Sequence, residues 1–232
     1  MNSDKTAARM FGIFFIITFL SYGIGSGLIQ SITNVPDMLS NVYANKTQVI
    51  VGVILMAIIH TFVNIGLPVI MFPILKPYNR YFTYGYLSAA IAATIVLIVG
   101  AIFVLLLLPL SDEYIKVGSI ANPYLETLGI ISIKGNFFAY QLGMAIWGLG
   151  GLMFCYLLYE SKLVPRLLPV WGFIGYIIFI SGTILELFGN NIGVQLSIPG
   201  GLFEIFLSVW LIVKGFNSPA IASVTAKAGE ID

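Results

Sequence analysis

Five polar side chains inside long apolar runs are the residues of this sequence that could do chemistry. His60, Glu186 and Glu204 are ionisable, and Asn64 and Gln141 carry amides. Because polar groups at membrane depth are costly, each of them is a candidate functional residue by default. A neutral imidazole can donate or accept a proton, and a carboxyl group can release one. Together they predict a proton-coupled polar site.

The depths of these residues predict where such a site would open. His60 lies about 16 Å from the outer end of its run, and Asn64 follows one turn later on the same face. Glu204 lies about 10 Å deep, while Gln141 and Glu186 are nearer the outer ends of their runs. We therefore predict a polar cavity that opens outward. Glu204 is expected to face the protein interior, within direct or water-mediated reach of His60, Asn64 or Gln141.

A structural role for the same residues is the alternative. His60 and Asn64 could hydrogen-bond to neighbouring helices and hold them together, as polar groups in membranes often do. Glu186 could extend its carboxylate to the outer interface. The sequence leaves both interpretations open.

The composition places the chain in a bilayer. Charged residues make up 9% of it and apolar types 59%, whereas a soluble domain carries about 25% charged residues. The net charge of +1 offers no basic surface for nucleic acid. With one cysteine, Cys155, and one histidine, His60, neither an intramolecular disulfide nor a histidine-rich metal centre can form. No metal, no cofactor and no catalytic residue is therefore expected.

Six apolar runs predict an all-α integral membrane protein, because about 20 apolar residues cross a bilayer. The chain is expected to form a single domain over 1–232, with a polar cytoplasmic tail at 217–232. Two short interfacial helices are expected, one after Pro36 and one from Pro123. Pro109 is expected to stop the third helix. Pro199 should lie in the first turn of the sixth helix. The predicted helices are 10–29, 49–71, 84–108, 137–159, 170–188 and 197–213.

The basic residues predict the orientation, since Lys and Arg concentrate on the cytoplasmic side. Eight of them fall on the side that holds both chain termini, and three on the other. The eight are Lys5, Arg9, Lys76, Arg80, Lys162, Arg166, Lys214 and Lys227; the three are Lys46, Lys116 and Lys134. Both termini are therefore expected in the cytoplasm.

Two stripes of small residues predict close helix packing. Gly23 and Gly27 form one stripe in the first helix, and Gly85, Ala89 and Ala93 form another in the third. Packing within one chain is favoured for both, and a homo-oligomer is the open alternative.

Several sequence strings carry a family resemblance. They are LLYESKLVPR at 157–166, VWG at 170–172, and Glu204 followed by VWLIVKGFN at 209–217. The chain resembles, from Arg9 to the tail, the bacterial membrane-protein family known as domain of unknown function (DUF4386). The resemblance implies a multi-pass protein of the bacterial plasma (inner) membrane with six helices and no agreed activity.

Three functions follow from these observations. The first is a small transporter-like protein that moves a proton or an unidentified small molecule through the outward-facing cavity. The second is a non-catalytic membrane module for sensing, assembly or envelope stress. The third, an intramembrane enzyme, is disfavoured because helical-bundle metal hydrolases generally need several His and Asp ligands. Lipid is the one partner that the composition itself implies.

Overall fold

The computed structural model describes residues 2–117 and 123–217, and the regular structure of these residues is helical. The polar tail falls almost wholly outside them, and so do Lys227 and residues 118–122. Six helical stretches are long and apolar enough to cross a membrane, which confirms the all-α membrane fold. Numbered in chain order as the first to the sixth helix, they are Asp4–Thr33, Lys46–Leu75, Arg80–Lys116, Pro123–Ser161, Leu167–Leu187 and Gly193–Val213. The helices are Asn2–Thr33, Met38–Ala44, Lys46–Val53, His60–Leu75, Arg80–Leu105, Leu107–Lys116, Pro123–Ser161, Leu167–Leu187 and Gly193–Val213, and a π-helical segment, Ile54–Ile59, precedes His60.

The fourth spanning helix is longer than predicted. Pro123, expected to begin a separate interfacial helix, is the first residue of a continuous 39-residue helix that ends at Ser161. Proline is favoured at this position because its missing N–H has no partner in a helix anyway. At 1.5 Å per residue the helix is about 58 Å long, so it must extend beyond a hydrocarbon core of about 30 Å. The other interfacial candidate, after Pro36, is a separate helix, Met38–Ala44.

Two prolines lie elsewhere in their helices than predicted. The third spanning helix is interrupted at Leu106 and resumes at Leu107, so Pro109 lies in the first turn of Leu107–Lys116 instead of ending a helix. The sixth helix begins at Gly193, four residues before the predicted start, and Pro199 is therefore inside it. A proline there leaves one carbonyl without its helical N–H partner.

The chain divides into two compact units, and their boundaries fall within helices. The first unit takes the described residues of Met1–Ile17, Val63–Thr94 and Gln141–Asp232; the second takes Thr18–Phe62 and Ile95–Tyr140. The first has an aromatic-rich core that includes Phe11, Phe15, Tyr86, Phe154, Tyr176 and Phe203. The core of the second is mainly aliphatic and includes Ile29, Val49, Met56 and Val104.

The small-residue stripe of the third helix packs against the fourth helix, as predicted. A Cβ added at Gly85 would lie 2.5 Å from Met153 Sδ, and one added at Gly150 would lie 2.9 Å from Ala89 Cβ. Ala93 is fully buried in the same unit. The prediction that this stripe faces another helix of the chain is confirmed.

The prediction for the other stripe is wrong. A Cβ added at Gly23 or Gly27 would meet no atom within 4 Å. The close contact of the first helix is made by Gly25, where an added Cβ would lie 2.7 Å from the Gly52 carbonyl oxygen. In an α-helix Gly25 lies about 200° around the axis from both Gly23 and Gly27, so the opposite face packs.

Candidate functional site

Glu204 lies in the interior of the first unit, where two aromatic side chains hold its carboxyl group. Its side chain is buried, with 8% of its surface exposed. Oε1 accepts a hydrogen bond from the Tyr176 hydroxyl at 2.5 Å and another from Trp147 Nε1 at 3.2 Å. The predicted burial of Glu204 is confirmed, but its bonding partners come from residues that the sequence did not single out.

Glycines allow the fifth helix to place Tyr176 beside Glu204. An added Cβ at Gly151, in the fourth helix, would collide with the Tyr176 ring. An added Cβ at Gly175 would lie 2.9 Å from Gly200 Cα, so the fifth and sixth helices approach nearly backbone to backbone. This close approach sets the position of Tyr176 along the helix axis relative to that of Glu204.

Ring contacts position Trp147 and Tyr86 around the carboxyl group. The Trp147 ring centroid lies 6.2 Å from that of Phe15 and 6.4 Å from that of Tyr86. The Tyr86 ring stacks on Phe154 with centroids 4.9 Å apart and planes 22° from parallel. Side chains that many rings confine in this way have little freedom to rearrange.

The Tyr86 hydroxyl is the unsatisfied polar group of this cluster. It is buried and has no hydrogen-bond partner among the described residues. It interacts electrostatically with Glu204 and with Tyr176. A buried hydroxyl without a partner costs about 1–3 kcal/mol, so its retention beside a carboxyl group requires an explanation.

Among the residues that the structure describes, the groups that hydrogen-bond to the Glu204 side chain are all neutral. Tyr176 and Trp147 donate from a phenol and an indole, and no Lys or Arg forms an ion pair with the carboxyl group there. An ionised carboxylate in such surroundings is expensive unless its charge is well hydrogen-bonded. The arrangement therefore suits a carboxyl group that gains and loses a proton.

His60 belongs to the second unit and has partners of its own. Its Nδ1 lies 3.3 Å from the Thr18 carbonyl oxygen, and its ring meets that of Tyr22 edge-on with centroids 5.2 Å apart. The Tyr22 ring in turn lies 5.4 Å from that of Tyr140. The π-helical segment Ile54–Ile59 ends just before His60, and such segments are frequent near functional sites.

Asn64, Gln141 and Glu186 are not joined to Glu204 by any described hydrogen bond. Asn64 Nδ2 donates to Thr94 Oγ1 at 2.9 Å, and Gln141 is buried without a described side-chain hydrogen bond. Glu186 Oε1 accepts from the Gly193 backbone N–H at 2.7 Å, which satisfies a free N–H group in the first turn of the sixth helix. These predicted site residues therefore have separate environments within the first unit.

The Tyr176–Glu204 pair follows from the observed helix ends, whereas the predicted ends at 188 and 197 do not place the two residues at one level. Tyr176 lies 11 residues before the end of the fifth helix at Leu187, and Glu204 lies 11 residues after the start of the sixth at Gly193. In an antiparallel helical hairpin, residues equally far from the turn lie at the same level. The sequence does not single out Tyr86 or Trp147 either, because aromatic residues are common in apolar helices.

Comparison with known proteins identifies the family of this chain. The sequence profile of a family described as domain of unknown function (DUF4386) matches residues 10–215. Searches of curated proteins and of solved structures found no match. The matched range takes in five of the six spanning helices whole, the first from Met10 onward, and every residue of the Glu204 cluster. The chain is a member of the DUF4386 family.

Proposed function

We propose that this protein is a non-catalytic sensing module of the bacterial inner membrane, with both termini in the cytoplasm, and that Glu204 is its responsive group. The eight-to-three distribution of basic residues supports the orientation. A lipid bilayer surrounds the spanning helices, and a homo-oligomer stays a prediction.

The observation that carries this proposal is that three of the predicted polar residues each have hydrogen-bond partners of their own. Asn64 bonds to Thr94, Glu186 caps the sixth helix, and Glu204 bonds to Tyr176 and Trp147. A carrier needs polar groups that converge on its cargo, whereas a sensor needs one group whose state alters the packing around it. Glu204 meets the second requirement because two helices supply its donors and a third carries the carboxyl group.

A small carrier is the second candidate, and Glu204 itself favours it. A titratable carboxyl group among neutral donors is the minimum equipment for proton-coupled transport. The outward-facing cavity predicted from the sequence stays a prediction. Purified protein in sealed vesicles under a proton gradient separates a carrier of protons from a sensing module, because the carrier dissipates the gradient and the sensing module leaves it intact.

A deletion strain tests the sensing role. Growth would be compared across ions, drugs, pH values and envelope stresses, with the wild-type chain returned on a plasmid. We expect at least one condition in which wild type and Glu186→Gln restore growth and Glu204→Gln, produced at the same level, does not. Equal restoration by both variants would contradict the role given to Glu204.

A further inference from the structure

We propose that Glu204 Oε2 and the Tyr86 hydroxyl together form the binding site for one exchangeable proton, and that this proton is the ligand of the module. The inference rests on the proposed sensing function and names what is sensed. Tyr86 acts as a positioning residue, because its hydroxyl can serve the carboxyl group in both of its protonation states.

The hydrogen bonds of Glu204 leave one oxygen for the proton. Oε1 accepts from both Tyr176 and Trp147, and these donors occupy its lone pairs. Oε2 takes part in no described hydrogen bond. A proton that arrives at the carboxyl group therefore bonds to Oε2, while the two bonds to Oε1 persist in either state.

The Tyr86 hydroxyl can serve as a hydrogen-bond partner for Oε2. It is 2% exposed, has no described partner and interacts electrostatically with Glu204. A phenolic hydroxyl both donates and accepts, and its hydrogen can rotate. When the carboxyl group is ionised, Tyr86 can donate to Oε2 through one water; when Oε2 carries the proton, Tyr86 can accept from it through the same water. Phenylalanine in its place would keep the ring stack on Phe154 and lose both bonds.

The proton step is balanced without a co-reactant. A proton from bulk water forms an O–H bond at Oε2, the carboxylate becomes a neutral carboxylic acid, and no electron is transferred. The reverse step returns the proton to water. The net change is one charge in the centre of the first unit, which is large where the surrounding dielectric is low.

The other titratable groups around Glu204 are neutral when they carry their protons. They are Tyr86 of the third helix, Cys155 of the fourth and Tyr176 of the fifth, each of which interacts electrostatically with the carboxyl group. Trp147 adds an N–H that does not titrate. The carboxyl group is therefore the member of this cluster that changes charge most readily.

Infrared difference spectroscopy tests the site. The full chain would be purified into lipid nanodiscs, and spectra recorded between about pH 4 and pH 10, a range that brackets most carboxyl groups. The probe is the proton itself, observed through the carbonyl stretch of a protonated carboxyl group. We expect a band that titrates in wild type and is lost in Glu204→Gln. Tyr86→Phe should move it to higher frequency, because a lost hydrogen bond strengthens the C=O bond.

Controls separate loss of the site from loss of the fold. Tyr156→Phe removes the hydroxyl of a residue in the same unit that is 37% exposed, and it should leave the band unchanged. Circular dichroism and gel filtration would establish that each variant is folded. A wild-type spectrum in which every titrating band is also present in Glu204→Gln, or a Tyr86→Phe spectrum identical to wild type, would overturn the inference. A titrating band together with equal restoration of growth by wild type and Glu204→Gln would refute the sensing role while leaving the proton site in place.

Discussion

Replacing Gly175 with alanine should separate the fifth and sixth helices, because the new methyl group would meet backbone. Its Cβ would lie 2.9 Å from Gly200 Cα and 3.0 Å from Gly200 N. Carbon atoms pack best at about 3.5–4.0 Å, so the helices must move apart by about 0.5–1 Å at this point. Backbone atoms cannot rotate away as a flexible side chain could.

The expected loss of stability follows from this overpacking. An extra methyl group in a well-packed interior costs about 1–3 kcal/mol. Alanine also gains about 1 kcal/mol over glycine from its helix propensity. Gly201→Ala is the matched control, since an added Cβ there meets nothing within 4 Å. Both variants share the propensity gain, so the difference between them isolates the steric term at about 1–3 kcal/mol, or about 5- to 150-fold in the unfolding equilibrium.

Reversible unfolding in mixed lipid–detergent micelles, followed by tryptophan fluorescence, would measure both variants against wild type. Gly201→Ala should match wild type or exceed it, and Gly175→Ala should unfold first of the three. If Gly175→Ala is as stable as Gly201→Ala, the two helices do not approach as closely as described. The level of Tyr176 relative to Glu204 would then lose its support as well.

Three further outcomes are expected. Ala89→Leu should lower the yield of folded protein, because the third helix has no room for a larger side chain at that point; an undiminished yield would contradict this packing. Gly25→Ala should destabilise the first helix contact and Gly27→Ala should not, as measured by the same unfolding assay, and equal stabilities would place the packed face elsewhere. Reporter fusions after Val35 should report outside and those after Lys76 inside, and the reverse pattern would refute the orientation.

The sequence predicted the number of spanning helices because each apolar run is long and bounded by polar residues. It placed helix ends less well, since nothing between Leu125 and Ile133 distinguishes a spanning helix from an interfacial one. Pro109 illustrates the same limit. A proline can end one helix or lie in the first turn of the next, and only the backbone path decides between them.

The candidate site was predicted in part. The cost of a buried carboxyl group was enough to predict that Glu204 is interior. Its partners could not be predicted, because which side chains meet depends on how the helices pack. Tyr176 and Trp147 were missed since an aromatic residue in an apolar run is usually part of the core. Gly23 and Gly27 were misassigned because spacing identifies a stripe but not the neighbour it faces.

A double-mutant cycle between Glu204 and Tyr176 would measure whether their hydrogen bond holds the carboxyl group in the interior. Glu204→Leu, Tyr176→Phe and the double variant would be unfolded under identical conditions. Hydrogen bonds between membrane helices are worth about 0.6–1.7 kcal/mol, and a coupling energy in that range is predicted. The cycle of Glu204→Leu with Tyr156→Phe serves as the control and should show no coupling energy. A coupling of zero between Glu204 and Tyr176 would contradict the account of this site.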